Sequence, residues 1–363
     1  MLRSAKINPF LQEETKMRFY TRQHKYYCGI DLHARTMYVC ILNQKGEVLV
    51  HKNIKTTPQE FLQILKPYQK DVCVSVECIF CWYWLADVCA EEGIEFVLGH
   101  ALYMKAVHGG KSKNDKIDSL KIASMLRGGM LPVTYTYPRR MRATRDLLRR
   151  RMYLMRKRSE LLVHIQLTRH QYNLPSFQKR VAKKSERSGI SECFPDPIVR
   201  KNIDVDLSLL DFYDKMLRSL EFYIFKTARE NDSQNLFLLQ SIPGIGRILG
   251  LVMLYEIHDI ARFPTVQDFS SYSRLVKCAR ESAGKLAGAK NSKIGNAHLK
   301  WAFSEAACLF LKDNPKARKY HERLVSRHGK GKALGIIAHR LGKAAYFILK
   351  NKEPFRMDKF FTA

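Results

Sequence analysis

From Pro138 to Pro175 the chain reads "PRRMRATRDLLRRRMYLMRKRSELLVHIQLTRHQYNLP", and between the two prolines there is neither a glycine nor a proline. Nothing in that stretch breaks a helix. Leu148, Met152, Met155 and Leu162 recur on one stripe and arginines fill the gaps, so the spacing predicts one long amphipathic basic helix, about 55 Å at about 1.5 Å per residue. A rod of that length separates the residues before it from those after it. A second helical run, Leu207 to Ala228, carries Leu210, Tyr213, Leu217, Leu220 and Ile224 on one stripe. The polar "KKSERSGISECFPDP" between the two reads as a flexible link, and together they suggest a coiled-coil hairpin or a dimerising arm.

Ahead of the rod, "YYCGIDLH", "TMYVCILNQ" and "EVLVHKNI" alternate apolar and polar residues and predict three antiparallel strands. A helix from about Thr57 to Lys66, the buried run "DVCVSVEC", a helix through Glu92 and the strand "IEFVLG" come next, giving a β-β-β-α-β-α-β order. Helices near Ala101–Val107 and Asp115–Arg127 complete this part. Beyond the second helical run comes a mostly helical region containing "SIPGIGRILGLVMLYEI" and "RESAGKLAGAKNSKIGNAHLK". The expected organisation is an extension over 1–24, an α/β domain over 25–132, a basic helical connector over 133–234, a helical domain over 235–352 and a tail over 353–363. No internal repeat is evident.

The 363 residues carry 63 Lys and Arg against 34 Asp and Glu, a formal charge of +29. That imbalance implies a polyanionic partner held through phosphates, with nucleic acid foremost. No apolar run approaches the roughly 20 residues of a membrane span, and "MLRSAKINPFLQEETKMRFYTRQHKYY" has no apolar signal core. A soluble, cytoplasmic protein with no membrane partner is the expectation. Nine cysteines, mostly inside apolar stretches, suit reduced buried thiols. Cys78 and Cys81 form a C-x-x-C, but no second pair stands at zinc-ribbon spacing.

Four acids stand out. Asp31 lies inside the first strand, where a charge among apolar residues is costly unless paired or metal-bound, and Glu77 closes "VSVE". Asp115 and Asp118 open a helix three residues apart, behind Lys113. Alone, the helix pair reads equally as first-turn acids favoured by the dipole, with Asn114 or Asp115 as cap. If the first and fourth strands are parallel neighbours, Asp31 and Glu77 converge at one edge. The helix after the fifth strand can bring Asp115 and Asp118 there, and four carboxylates suit a pair of Mg²⁺ ions at a phosphoryl-transfer site.

This order of elements and acids resembles the ribonuclease H-like, RuvC-like nuclease domain. "YYCGIDLH", "VSVEC" and "KSKNDKIDSLKIASMLRGGMLP" are similar to the D, E, D and D motifs of the DEDD insertion-sequence transposases, the bridge-RNA-guided recombinases. The resemblance implies a tetrad of Asp31, Glu77, Asp115 and Asp118 holding two Mg²⁺ ions. It extends to the helical region: "PGIG", with Gly244 and Gly246, resembles a helix-hairpin-helix turn able to hold a phosphate, although a plain interhelix turn fits as well. The S-x-G of "RESAGKLAGAKNSKIG" maps the family's nucleophile onto Ser282 in preference to Ser292, in what reads as a basic Gly-Ala loop. The stretch around the serine is less rich in glycine and hydroxyl residues than in many members. Lys285, Lys290 and Lys293 stand beside it for phosphate, and Arg149, Arg150, Arg151, Arg156 and Arg158 line the long helix for backbone contacts. His33, two residues after Asp31, shares its strand face by period alone.

The resemblance implies a DNA recombinase acting on donor and target DNA with a structured guide RNA, as a homodimer or homotetramer. Ser282 would form a phosphoserine, and the long helix allows it to serve the tetrad of another copy. A junction-cutting nuclease that uses water, or a basic nucleic-acid binder without catalysis, are the alternatives.

Overall fold

The computed structural model describes residues 18–107, 114–228, 233–282, 285–290 and 294–362. The chain forms two compact units, 1–139 and 140–363.

The first unit is built on a five-stranded sheet. Strand β1 (Phe19–Tyr20) stands apart from it, and β2 (Tyr26–Leu32), β3 (Thr36–Asn43) and β4 (Val48–Lys55) form an antiparallel meander. After α1 (Pro58–Leu65), β5 (Val72–Glu77) enters parallel to β2, and after α2 (Tyr83–Glu91), β6 (Glu95–Gly99) lies parallel to β5. The order β4-β3-β2-β5-β6 is that expected of a ribonuclease H-like sheet. Helices α3 (Ala101–Val107) and α4 (Asp115–Arg127) come next, then β7 (Leu131–Pro132), which pairs with β1.

Period-2 alternation sends the residues of β2 to two different cores. Cys28, Ile30 and Leu32 pack with Phe61 and Leu65 of α1 and Leu85, Ala86 and Cys89 of α2. Tyr27 packs on the other side with Ile122, Met125 and Leu126 of α4. Gly29 and Asp31 have the parity of Tyr27 and so face α4. Burial pushes the Cys73 thiol up to about 12, which keeps it protonated and inert.

The second unit opens with α5 (Arg139–Gln171), the predicted rod, and α6 (Pro197–Ala228). Helix α6 begins ten residues before the expected Leu207, because Pro197 suits a first helical turn and Ile203 extends the buried series Leu210, Leu217, Ile224 by one more heptad. The ion pairs Arg151–Glu221, Arg158–Asp214 and His164–Asp206 run in opposite senses along the two helices, so α5 and α6 are antiparallel.

The segment between them is folded, not a flexible link. Val181, Ile190 and Phe194 bury against Ile165 of α5 and Ile203 and Leu210 of α6. Arg187, 6% exposed, donates to the carbonyls of Val181 and Ala182 and pairs with Asp211 and Asp214. A polar-looking sequence concealed this, because one arginine satisfies backbone and carboxylates together.

Among the described residues the rest of the unit is helical apart from one hairpin: α7 (Ser233–Gln240), α8 (Arg247–Ile257), α9 (Val266–Tyr272), β8 (Cys278–Ser282), β9 (Lys285–Lys290), α10 (Ala297–Phe310), α11 (Pro315–His328), α12 (Lys330–Asn351) and α13 (Met357–Thr362). Every residue of α8 from Leu249 to Ile257 is buried, so it forms the axis of the core. The one charge within that buried run, Glu256, receives hydrogen bonds from Arg145 and Arg149 of α5 and from the side-chain amide of Asn296, the N-cap of α10. Burial would raise its pKa, but the Arg149 hydrogen bond, the charges of both arginines and the Asn296 amide hold it below the ordinary carboxylate value.

Glu256→Gln keeps the shape and removes the charge that Arg145 and Arg149 face. It is expected to destabilise the protein by about 3 kcal/mol at neutral pH. A carboxylate with a depressed folded-state pKa stabilises above its unfolded value and loses that contribution as pH falls through the folded one. Thermal melts should therefore show the gap between wild type and variant closing below the ordinary carboxylate range. A gap that persists there contradicts the ionic account.

Candidate functional site

Asp31 is the penultimate residue of β2 and Glu77 the last of β5, on adjacent parallel strands. Ile30 pairs with Val76, so the acids are the next residues along each strand and stand at one carboxyl edge, where open α/β sheets place their chemistry. Helix α4 crosses this edge because β2 carries a glycine beneath it: a Cβ on Gly29 would lie 2.2 Å from the Ala123 nitrogen and 2.5 Å from the Ser119 carbonyl oxygen. From Ser119 one further turn back along α4 leads to Asp115, placing its first turn over Asp31. From β4, His51 holds the same turn, with Nε2 2.8 Å from the Lys116 carbonyl oxygen.

The helix cap is Asn114, whose side chain accepts from the Ile117 N–H at 2.7 Å. The carboxylates of Asp115 and Asp118 are thereby left out of the capping bond. Ligand atoms of Asp31, His33 and Asp115 all lie within 4.8 Å of one another. Nε2 of His33 is 3.4 Å from Asp31 and 3.6 Å from Asp115. Asp118 pairs with Lys121 at 3.3 Å. Burial raises the Asp31 pKa, and the charges of Asp115 and Asp118 raise it further, while His33 opposes them. Two like charges raising a third is what a cation between them would relieve, and the donor set, carboxylates with one imidazole, fits a divalent ion.

The other expected residues are spread through the chain. Ser282 ends β8 and pairs with Lys285 of β9, while Lys290 pairs with Cys278, so the expected loop is an antiparallel hairpin. Lys113, Ser292 and Lys293 lie outside the described residues. Among the arginines of α5, Arg149, Arg151 and Arg158 are committed to Glu256, Glu221 and Asp214. Arg156 is exposed, and Arg150, also exposed, lies over the Tyr153 ring. In "PGIG", Gly244 has φ +87° and a Cβ there would meet the Phe310 nitrogen at 2.6 Å, so that glycine serves packing. Gly246 caps α8 with open space around it. Cys78 is exposed, and Cys81 donates through Sγ to the Leu32 carbonyl, which ties the turn after Glu77 to the end of β2.

Two positioning residues escaped the sequence reading. A glycine inside a buried strand, two residues before an acid, was the available signal for Gly29. His51 gave none, because an exposed edge strand normally carries polar residues.

A transposase model of the DEDD IS110 type matches residues 28–172, and the model of the transposase IS116/IS110/IS902 family matches residues 237–322. Between them they cover more than half of the chain. The chain belongs to the IS110 family of transposases. The first match contains Asp31, Glu77, Asp115 and Asp118, and the second contains Ser282. Over 90% of each chain it is 21% identical to the transposase for insertion sequence element IS1111A of Coxiella burnetii. It is 30% identical over 90 residues to an insertion element IS110 uncharacterized 43.6 kDa protein of Streptomyces coelicolor, spanning 25% of this chain and 22% of that one. No helix among the described residues is long and apolar enough to cross a membrane.

If Gly29 sets the height of α4, Gly29→Ala must lift that helix off β2. The expected cost is about 1–3 kcal/mol, together with faster amide exchange in the first turns of α4. Unchanged exchange between Asp115 and Ala123 would show that something else holds the helix in place.

Proposed function

We propose that this transposase cuts and rejoins DNA strands through Ser282, with the acidic cluster binding Mg²⁺ or a similar divalent ion, and that a structured RNA pairs with donor and target DNA. The observation that carries the reading is the meeting of Asp31 and Asp115 at the carboxyl edge of a parallel strand pair, in a chain matched by a DEDD transposase model. Asp31, Asp115, Asp118 and Glu77 are the residues that would hold divalent metal. When bound, it supplies positive charge against the phosphate under attack.

The reacting bond is a DNA phosphodiester. Ser282 Oγ bonds to phosphorus as its proton is lost, one ester oxygen leaves and takes up a proton, and the strand remains joined to the serine. Reversal with a different strand end rejoins DNA without a high-energy cofactor. Lys285, opposite Ser282 in the hairpin register, suits charge on the transferring phosphate. Arg150 and Arg156, exposed on α5, suit the nucleic-acid backbone, as does a net charge of +29. Large exposed side chains on α6, among them Ile198, Phe212 and Phe222, favour assembly as a homo-oligomer.

Asp31→Asn and Ser282→Ala are each expected to reduce strand cleavage by at least about a hundredfold while leaving DNA and RNA binding within about twofold. Cleavage that survives Ser282→Ala but not Asp31→Asn would favour hydrolysis by water at the acidic cluster. Cleavage that survives both would overturn the site.

A further inference from the structure

Among the described residues His24, His164 and His33 face carboxylates, and His33 does so differently. His24 Nδ1 is 2.8 Å from Asp71, and His164 Nδ1 is 2.5 Å from Asp206. Those are closed hydrogen bonds. His33 Nε2 instead sits 3.4 Å from Asp31 Oδ2 and 3.6 Å from Asp115 Oδ1, bonded closely to neither. Donors that share one ion at about 2.1 Å each stand about 3 Å apart when adjacent and about 4.2 Å apart when opposite. Both distances lie within ion-pair range, and they also match the spacing of adjacent ligands around one ion.

The backbone supports this placement. The His33 N–H donates to the Thr36 carbonyl at 3.1 Å, and its own carbonyl accepts from the Thr56 hydroxyl at 2.8 Å. Thr56 N–H in turn donates to the Arg35 carbonyl at 3.0 Å. The residue is thus fixed at both of its peptide groups at the exit of β2, while its imidazole is half exposed at the acidic edge. These bonds belong to the main chain of the β2–β3 turn, and they reduce the order a side chain at this position must gain on binding an ion.

We infer that His33 is a metal ligand, so that its Nε2, with Asp31 and Asp115, makes the acidic cluster a mixed nitrogen and oxygen site that holds a first-row transition ion such as Mn²⁺ more tightly than Mg²⁺. The inference rests on the metal reading of the cluster under the proposed function and adds to it the identity of a ligand and a preference among ions. The chemistry comes from the donor. Carboxylates alone suit the hard Mg²⁺ ion, which releases water reluctantly, whereas an imidazole nitrogen adds affinity that rises along the first transition row. His33 does this as a neutral ring, and no proton transfer is assigned to it.

The test uses the full chain stripped of metal and then titrated with Mn²⁺ alone, with Mg²⁺ as competitor. Pulsed electron paramagnetic resonance of the bound Mn²⁺ is expected to show coupling to an imidazole nitrogen. His33→Ala should lose that coupling and bind Mn²⁺ at least about tenfold more weakly, with Mg²⁺ affinity changed less than about threefold. Because His33 is exposed, its truncation leaves the fold intact, and a thermal melt confirms that the variant is native. Mn²⁺ that binds in an Asp31-dependent manner without nitrogen coupling, or with unchanged affinity in His33→Ala, would overturn the role of His33 while sparing the acidic metal site. Absence of any Mn²⁺ or Mg²⁺ uptake lost on Asp31→Asn would overturn the metal reading itself, and His33 with it.

Discussion

The geometry of the acidic cluster depends on one close approach, that of the α4 backbone to β2 at Gly29. A sheet and a helix normally keep a layer of side chains between them, and here a missing Cβ removes that layer at one point. The helix start then lies low enough over the strand end for Asp115 to reach Asp31 and His33. Asn114 takes the capping role, so neither acid is used to satisfy the helix N-terminus. His51 fixes the other side of that turn. A short buried strand, a glycine and a cap thus convert two distant sequence motifs into one group of donors.

In the second unit the comparable constraint is the buried carboxylate of Glu256. It gathers Arg145 and Arg149 from α5 and Asn296 from the start of α10, and so couples the rod, the axial helix and the element directly after the serine-bearing hairpin. Burying such a group without partners would cost several kcal/mol, so the network specifies how these helices pack. It also changes the meaning of the positive charge on α5. Several arginines there are structural, so the nucleic-acid contacts proposed for α5 fall to those left exposed, Arg150 and Arg156 among them.

The strand order was legible because β2, β3 and β4 are short apolar-rich runs parted by turn-like residues and β5 carries valine at every second position, and the parallel register of β2 and β5 then places Asp31 beside Glu77. The rod was legible from the absence of helix breakers. What misled was polarity. The stretch around Arg187 looked like a linker because its satisfying groups, two carbonyls and two aspartates on α6, are brought to it only by folding. The hairpin at Ser282 looked like a loop because its glycines and alanines carry little strand propensity, and pairing between β8 and β9 supplies what local preference does not. His33 shares a strand face with Asp31 by simple period, and only the position of α4 reveals that Asp115 faces it too.

The central claim is that a serine on the second unit and acids on the first serve one strand-transfer reaction. Its most direct test is to stall the full chain on nicked donor DNA with divalent metal and guide RNA, digest the denatured complex, and identify by mass spectrometry the peptide that carries the nucleotide phosphate. The account predicts one modified residue, Ser282, formed with metal and absent when the metal is chelated. A nucleotide on Ser292 or on a tyrosine, or cleaved strands with no protein adduct, would contradict it.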